Sequence, residues 1–140
     1  MKVAIIGATG FLGKSLVNEF TNRNHQVTAI SRTAQDSDKE NLQYVAVDVL
    51  NIEALAEVLK GNDAVVSAFN PGWTNPNIYA DFLAGAKAIQ EAVKRSGVKR
   101  LITIGGAGSL YINGSQLVDG PDFRADIKPG ATAAREYLDI

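Results

Sequence analysis

Lys2-Val3-Ala4-Ile5-Ile6-Gly7-Ala8-Thr9-Gly10-Phe11-Leu12-Gly13 carries an apolar run straight into a Gly-x-x-Gly-x-x-Gly turn. Residues 3–6 read as a buried strand and residues 11–23 as the helix that follows. Leu12, Leu16, Val17 and Phe20 share one face of that helix at helical spacing. The order strand, glycine turn, helix is what a dinucleotide phosphate site requires. Gly7 permits the tight turn off the strand, Gly10 lets a pyrophosphate approach the backbone, and Gly13 lets the helix lie close to the sheet. The unpaired amides and positive dipole end of the helix then face the phosphates, with Thr9, Phe11 and Leu12 completing the cradle. Glycine-rich turns also occur without a ligand. The strand before this one and the amphipathic helix after it give the pattern its weight.

Outward from this stretch, strand and helix patterns alternate, which predicts an α/β fold with a parallel sheet covered on both faces. Strands are expected at residues 27–30, 42–47, 64–68 and 101–104, with a polar loop at 31–41. Asn51 suits the N-cap of a short helix bearing Ile52, Leu55, Val58 and Leu59, which Gly61 stops. Asn75 and Pro76 suit the N-cap and first position of a longer helix burying Ile78, Phe82, Leu83, Ala86, Ile89 and Val93, closed by Gly97. Residues 105–130 are rich in glycine and proline and read as loop. Residues 132–140 read as a last helix, opening near Ala131. That helix has no sixth strand to enter, so the chain is expected to be a C-terminally incomplete member of its fold, keeping the cofactor cradle and losing most of a substrate pocket.

The 140 residues are 46% hydrophobic and 21% charged, the balance of a single globular domain spanning 1–140. A net charge of −1 offers no long-range attraction to nucleic acid or an anionic membrane. The apolar runs are too short to span a bilayer, and the first leads into the glycine turn rather than a signal cleavage site. There is no cysteine, hence no disulfide or thiolate chemistry, and the lone His25 cannot build a zinc site unaided. It reads as a turn residue ahead of a strand, with no metal expected. A cytoplasmic setting fits. Homo-oligomerisation is left open.

Which dinucleotide fits depends on the end of the second strand. An acid there would bind the ribose 2′-hydroxyl of NAD, and a base would take the 2′-phosphate of NADP. Ser31-Arg32-Thr33 stands there, with no acid before Asp36, so NADP(H) is favoured and NAD(H) remains open. The alternative reading of Arg32 is a solvated loop residue. Asp48, beside Val49 after the third strand, could accept from the adenine amino group or simply form a turn. Phe69-Asn70 and Gly105-Gly106, after the fourth and fifth strands, are expected to flank the nicotinamide. Trp73 and Tyr111 could stack on an aromatic substrate or pack their own loops. Arg135 and Glu136 read as solvated.

Gly-Ala-Thr-Gly-Phe-Leu-Gly, Ser31-Arg32, Val47-Asp48-Val49 and Ile104-Gly105-Gly106-Ala107-Gly108-Ser109-Leu110 together resemble the atypical short-chain dehydrogenases. They are most similar to the branch of NADH-flavin reductase-like, NAD(P)-binding epimerase-like and NmrA-like proteins. Leu117-Val118-Asp119 and Ala133-Ala134-Arg135-Glu136 add to the likeness. The resemblance implies a doubly wound Rossmann sheet and an NAD(P)H-dependent oxidoreductase acting on a small molecule. Flavin would be substrate rather than bound cofactor. The superfamily's Tyr-x-x-x-Lys pair is missing. Asp48, Leu83 and Ser115 stand four residues after Tyr44, Tyr79 and Tyr111, and the sequence given ends before Tyr137 has a partner. Gly105-Gly106 occupies the place of the superfamily's serine, with Ser109 displaced from it, so no catalytic residue is assigned. The expected activity is therefore direct hydride transfer to a flavin or quinone-like acceptor. The alternatives are a non-catalytic NADP(H) sensor of the NmrA-like kind or, with less support, an NAD-dependent sugar epimerase or dehydratase.

Overall fold

The computed structural model describes residues 1–140, which form two compact units. The first comprises residues 1–69 and 87–104. It holds five parallel strands, β1 (Lys2–Ile6), β2 (Gln26–Ser31), β3 (Leu42–Ala46), β4 (Ala64–Ser67) and β5 (Leu101–Thr103), in the order β3-β2-β1-β4-β5. β3 and β5 are the edge strands of this sheet. The central strand β1 is buried on both faces, which is why it reads as an unbroken apolar run. Its side chains alternate. Ala4 and Ile6 join Ile30, Leu55, Leu59, Val65 and Ile89 on one face, while Val3 and Ile5 join Val17, Val27, Ala29 and Val66 on the other.

Helix α1 (Phe11–Asn22) covers the second of these faces. Its C-terminus closes in a Schellman motif. The amide of Asn24, at φ 62°, donates to the Thr21 carbonyl and that of His25 donates to the Phe20 carbonyl. The Phe20 and His25 rings pack at 5.6 Å across this closure. His25 is thus the turn residue the sequence suggested. Helix α2 (Ile52–Leu59) covers the first face, together with residues 87–96 of helix α3 (Ile78–Ser96). Asn51 caps α2 as expected, its side chain accepting from the Ala54 amide at 3.2 Å. Gly61 and Gly97 stand at positive φ just past their helices.

The second unit comprises residues 70–86 and 105–140. Here α3 begins two residues later than the sequence pattern suggested. Asn75 caps the turn before it, its side chain accepting from the Asn77 amide and its carbonyl from the Ile78 amide. The expected loop at 105–130 is more ordered than its composition suggests. It contains 3-10 turns at Ala107–Ser109 and Leu117–Asp119 and a hairpin of β6 (Tyr111–Ile112) and β7 (Ser115–Gln116). Asn113 and Gly114 turn the hairpin, both at positive φ.

The last helix, α4, spans Lys128–Tyr137 rather than 132–140. Pro129 lies in its first turn, where a missing amide hydrogen is harmless, so the Pro-Gly pair begins the helix instead of preceding it. Gly130 lets the side chains of Ile78 and Trp73 lie close against the helix. A Cβ there would stand 2.8 Å from Ile78 and 2.9 Å from Trp73. Phe82, Ala86 and Ala133 form this unit's core, with the Phe82 and Tyr137 rings edge to face at 6.4 Å.

Candidate functional site

Gly7, Gly10 and Gly13 have three different physical reasons to be glycine. Gly7 sits at φ +79°, and a Cβ on it would lie 2.7 Å from the Ala68 carbonyl oxygen. A Cβ on Gly13 would lie 1.9 Å from the Gly7 carbonyl oxygen, so α1 can rest on the turn only without one. Gly10 is different. Its backbone is extended, at φ −73° and ψ 175°, and a Cβ would meet only the Gly7 oxygen at 3.2 Å. Conformation does not demand glycine there, the Gly7 oxygen would have to give only a few tenths of an ångström, and beyond it the space is open.

The amides of the turn divide in the same way. Gly7 and Ala8 both donate to the Ile30 carbonyl, at 3.0 and 3.1 Å, and Gly10 donates to Gly7. These bonds staple the turn to the end of β2. The first-turn amides of α1, at Phe11, Leu12 and Gly13, have no intrahelical acceptor by the geometry of a helix. No side chain caps them, and no acid stands in that first turn. The positive end of the helix dipole is left without a counter-charge of its own. Open space at Gly10, uncapped amides and an uncompensated dipole together fit the pyrophosphate of a dinucleotide.

Arg32 follows β2 directly, is exposed, and makes no ion pair within the chain. Ser31 before it is buried, and its hydroxyl donates to the Thr33 carbonyl at 2.5 Å. Asp48 takes up the turn role considered for it, one carboxylate oxygen accepting from the Leu50 amide at 2.9 Å. Its side chain remains exposed, so its other oxygen stays accessible. Val49 and Phe69 are half-buried against the core of the first unit. In the second unit Asn70 folds its own loop, accepting from the Gly72 amide at 2.7 Å. Gly105 is exposed, and a Cβ on it would meet nothing within 4 Å.

Three side chains of the second unit differ from what the sequence suggested. Arg135 is not solvated: it binds both oxygens of Asp119, at 2.9 and 2.8 Å, and reaches Gln116 at 3.3 Å. Glu136 accepts from the Tyr79 hydroxyl at 2.5 Å, and this hydrogen bond holds the tyrosine above its usual pKa. Trp73 packs on Gly130 while keeping about half its surface exposed, 55%. The partners lie 16 to 57 residues away in sequence, beyond any local pattern. Tyr111 is 72% exposed, and Ser109 donates to the Gly106 carbonyl.

Comparison with known proteins agrees with this geometry. A family model described as NAD(P)H-binding matches residues 7–138. The protein YwnB of Bacillus subtilis, itself uncharacterised, is 35% identical over 143 residues, spanning 99% of this chain and 64% of YwnB. A solved Bacteroides thetaiotaomicron structure, assigned as an epimerase, superposes with a TM-score of 0.89 at 39% identity, covering 98% of this chain and 62% of that one. A Streptococcus pneumoniae structure assigned as an NADH-flavin reductase gives 0.81 at 36%, covering 99% and 64%. The chain thus spans somewhat less than two thirds of the length of these relatives. With a family model that spans nearly the whole chain and a doubly wound sheet that superposes on these structures, this chain belongs to the NAD(P)H-binding family of Rossmann-fold, short-chain dehydrogenase-like proteins.

Proposed function

We propose that the protein is an NADP(H)-dependent reductase that passes hydride to a flavin or quinone-like acceptor. The observation that carries the dinucleotide part is the uncapped N-terminus of α1 facing the open space at Gly10. Residues Gly7, Thr9, Gly10, Phe11, Leu12 and Gly13 would hold the pyrophosphate, Arg32 the 2′-phosphate, and Asp48 with Val49 the adenine. NADPH, when bound, supplies the hydride. A flavin would take it at a ring nitrogen and a quinone into its conjugated carbonyl system, with water providing the accompanying proton, so position alone can carry much of the catalysis. Alcohol oxidation would instead need a base to remove a hydroxyl proton. No lysine stands four residues after Tyr44, Tyr79 or Tyr111 for that, and Tyr79 is held above its usual pKa by its hydrogen bond to Glu136.

That Tyr44, Tyr79 and Tyr111 lack such a lysine also favours a second reading, a sensor that binds NADP(H) without turnover. One assay separates the two: NADPH oxidation by the purified protein with free flavins, quinones and sugar nucleotides. A reductase consumes NADPH only with a flavin or quinone, whereas a sensor binds it and leaves it intact. Conversion of a sugar nucleotide would favour the epimerase alternative. Ser109→Ala and Tyr111→Phe should slow flavin reduction only modestly. A fall in kcat of about a thousandfold from either would reveal acid–base catalysis and contradict the proposal.

A further inference from the structure

Arg32 lies between two fixed points. On its N-terminal side, Ile30 accepts from both Gly7 and Ala8, and the Ser31 carbonyl accepts from the Val47 amide at 2.8 Å. The end of β2 is therefore locked to the phosphate turn and to β3. On its C-terminal side the only tie is the Ser31 hydroxyl, which reaches past Arg32 to the Thr33 carbonyl at 2.5 Å. Ser31 is just 9% exposed, so its hydroxyl points into the protein and closes a small ring around Arg32. After Thr33 the chain enters a polar loop with no regular structure until β3.

We infer that Ser31 is a positioning residue for NADP(H) selectivity, acting through the backbone that carries Arg32 rather than by touching the phosphate. An arginine on a free loop must lose backbone and side-chain freedom when a phosphate arrives. The Ser31 bond removes part of the backbone share in advance. A guanidinium pairs best with phosphate when its fork is already aimed, so the gain falls on NADPH and not on NADH. This rests on the reading of Arg32 as the 2′-phosphate ligand.

The test measures dissociation constants by calorimetry for NADPH, NADH and adenosine 2′,5′-bisphosphate with the intact protein and its Ser31→Ala, Ser31→Thr, Arg32→Ala and double Ser31→Ala/Arg32→Ala variants. Ser31→Ala should weaken NADPH and the bisphosphate roughly three- to tenfold, the loss expected for one hydrogen bond. NADH should stay within about twofold. Ser31→Thr, which keeps the hydroxyl, should restore NADPH binding. In the Arg32→Ala background the Ser31 change should have no further effect. Equal weakening of NADPH and NADH by Ser31→Ala, or no weakening at all, overturns the inference while leaving Arg32 in place. If Arg32→Ala itself leaves the NADPH-to-NADH ratio unchanged, the Arg32 reading fails first and takes this inference with it.

Discussion

Helices α1 and α2 both lead from a strand of one sheet, yet their N-termini are finished in opposite ways. Helix α2 closes its own end, with Asn51 capping the Ala54 amide and Glu53 in the first turn to meet the dipole. Helix α1 has glycine at the same position, no cap and no acid. An unfinished helix end costs stability, and the rest of the first unit is well satisfied: no buried side-chain polar atom lacks a partner. The N-terminus of α2 is complete within the chain, whereas that of α1 keeps free the amides and dipole end that the proposed phosphate site needs.

The largest effect expected from breaking this contrast is at Gly13. In Gly13→Ala the new Cβ meets backbone 1.9 Å away, so α1 must lift off the turn. We expect a loss of about 3 kcal/mol or more in urea unfolding, at the upper end for overpacking, with dinucleotide binding lost as well. Next is Gly10→Asp, which would finish α1 as α2 is finished. Its extended backbone accepts the residue without strain, and the Gly7 oxygen at 3.2 Å need move only slightly. Stability should change by no more than about 1 kcal/mol. NADPH affinity should fall by about a hundredfold, as expected when the first-turn amides are occupied and a negative charge is placed beside them. The smallest effect is at α2. Asn51→Ala should cost about 1 kcal/mol of stability, read by urea unfolding, and leave NADPH affinity unchanged in calorimetry.

How much of this was legible in the sequence depended on how local each feature is. The glycine spacing, the cap at Asn51 and the run of β1 are all set by near neighbours, and the sequence pattern locates them, whereas Asn75 caps only the turn ahead of α3, which starts at Ile78. The hairpin at Tyr111–Gln116 carries a clear Asn-Gly signal, but strands of two residues are too short to display alternation. Lys128-Pro129-Gly130 reads as a breaker because composition cannot tell the first turn of a helix from the loop before it. Arg135 and Glu136 look solvated because their partners, Asp119 and Tyr79, are brought to them only by the fold. Within the candidate site the sequence pattern singles out the three glycines, Arg32 and Asp48 by their places after the strands. The inward turn of the Ser31 hydroxyl could not, since a serine beside an arginine looks the same whichever way it points.

The central claim is that the N-terminus of α1, and not that of α2, receives the dinucleotide phosphates. An amide-resolved NMR titration of the protein with NADPH tests this at the atoms concerned. The largest shifts are expected on the amides of Phe11, Leu12 and Gly13, with Ile52–Leu55 unmoved. Shifts that spare residues 11–13, or that fall equally on the start of α2, would contradict it.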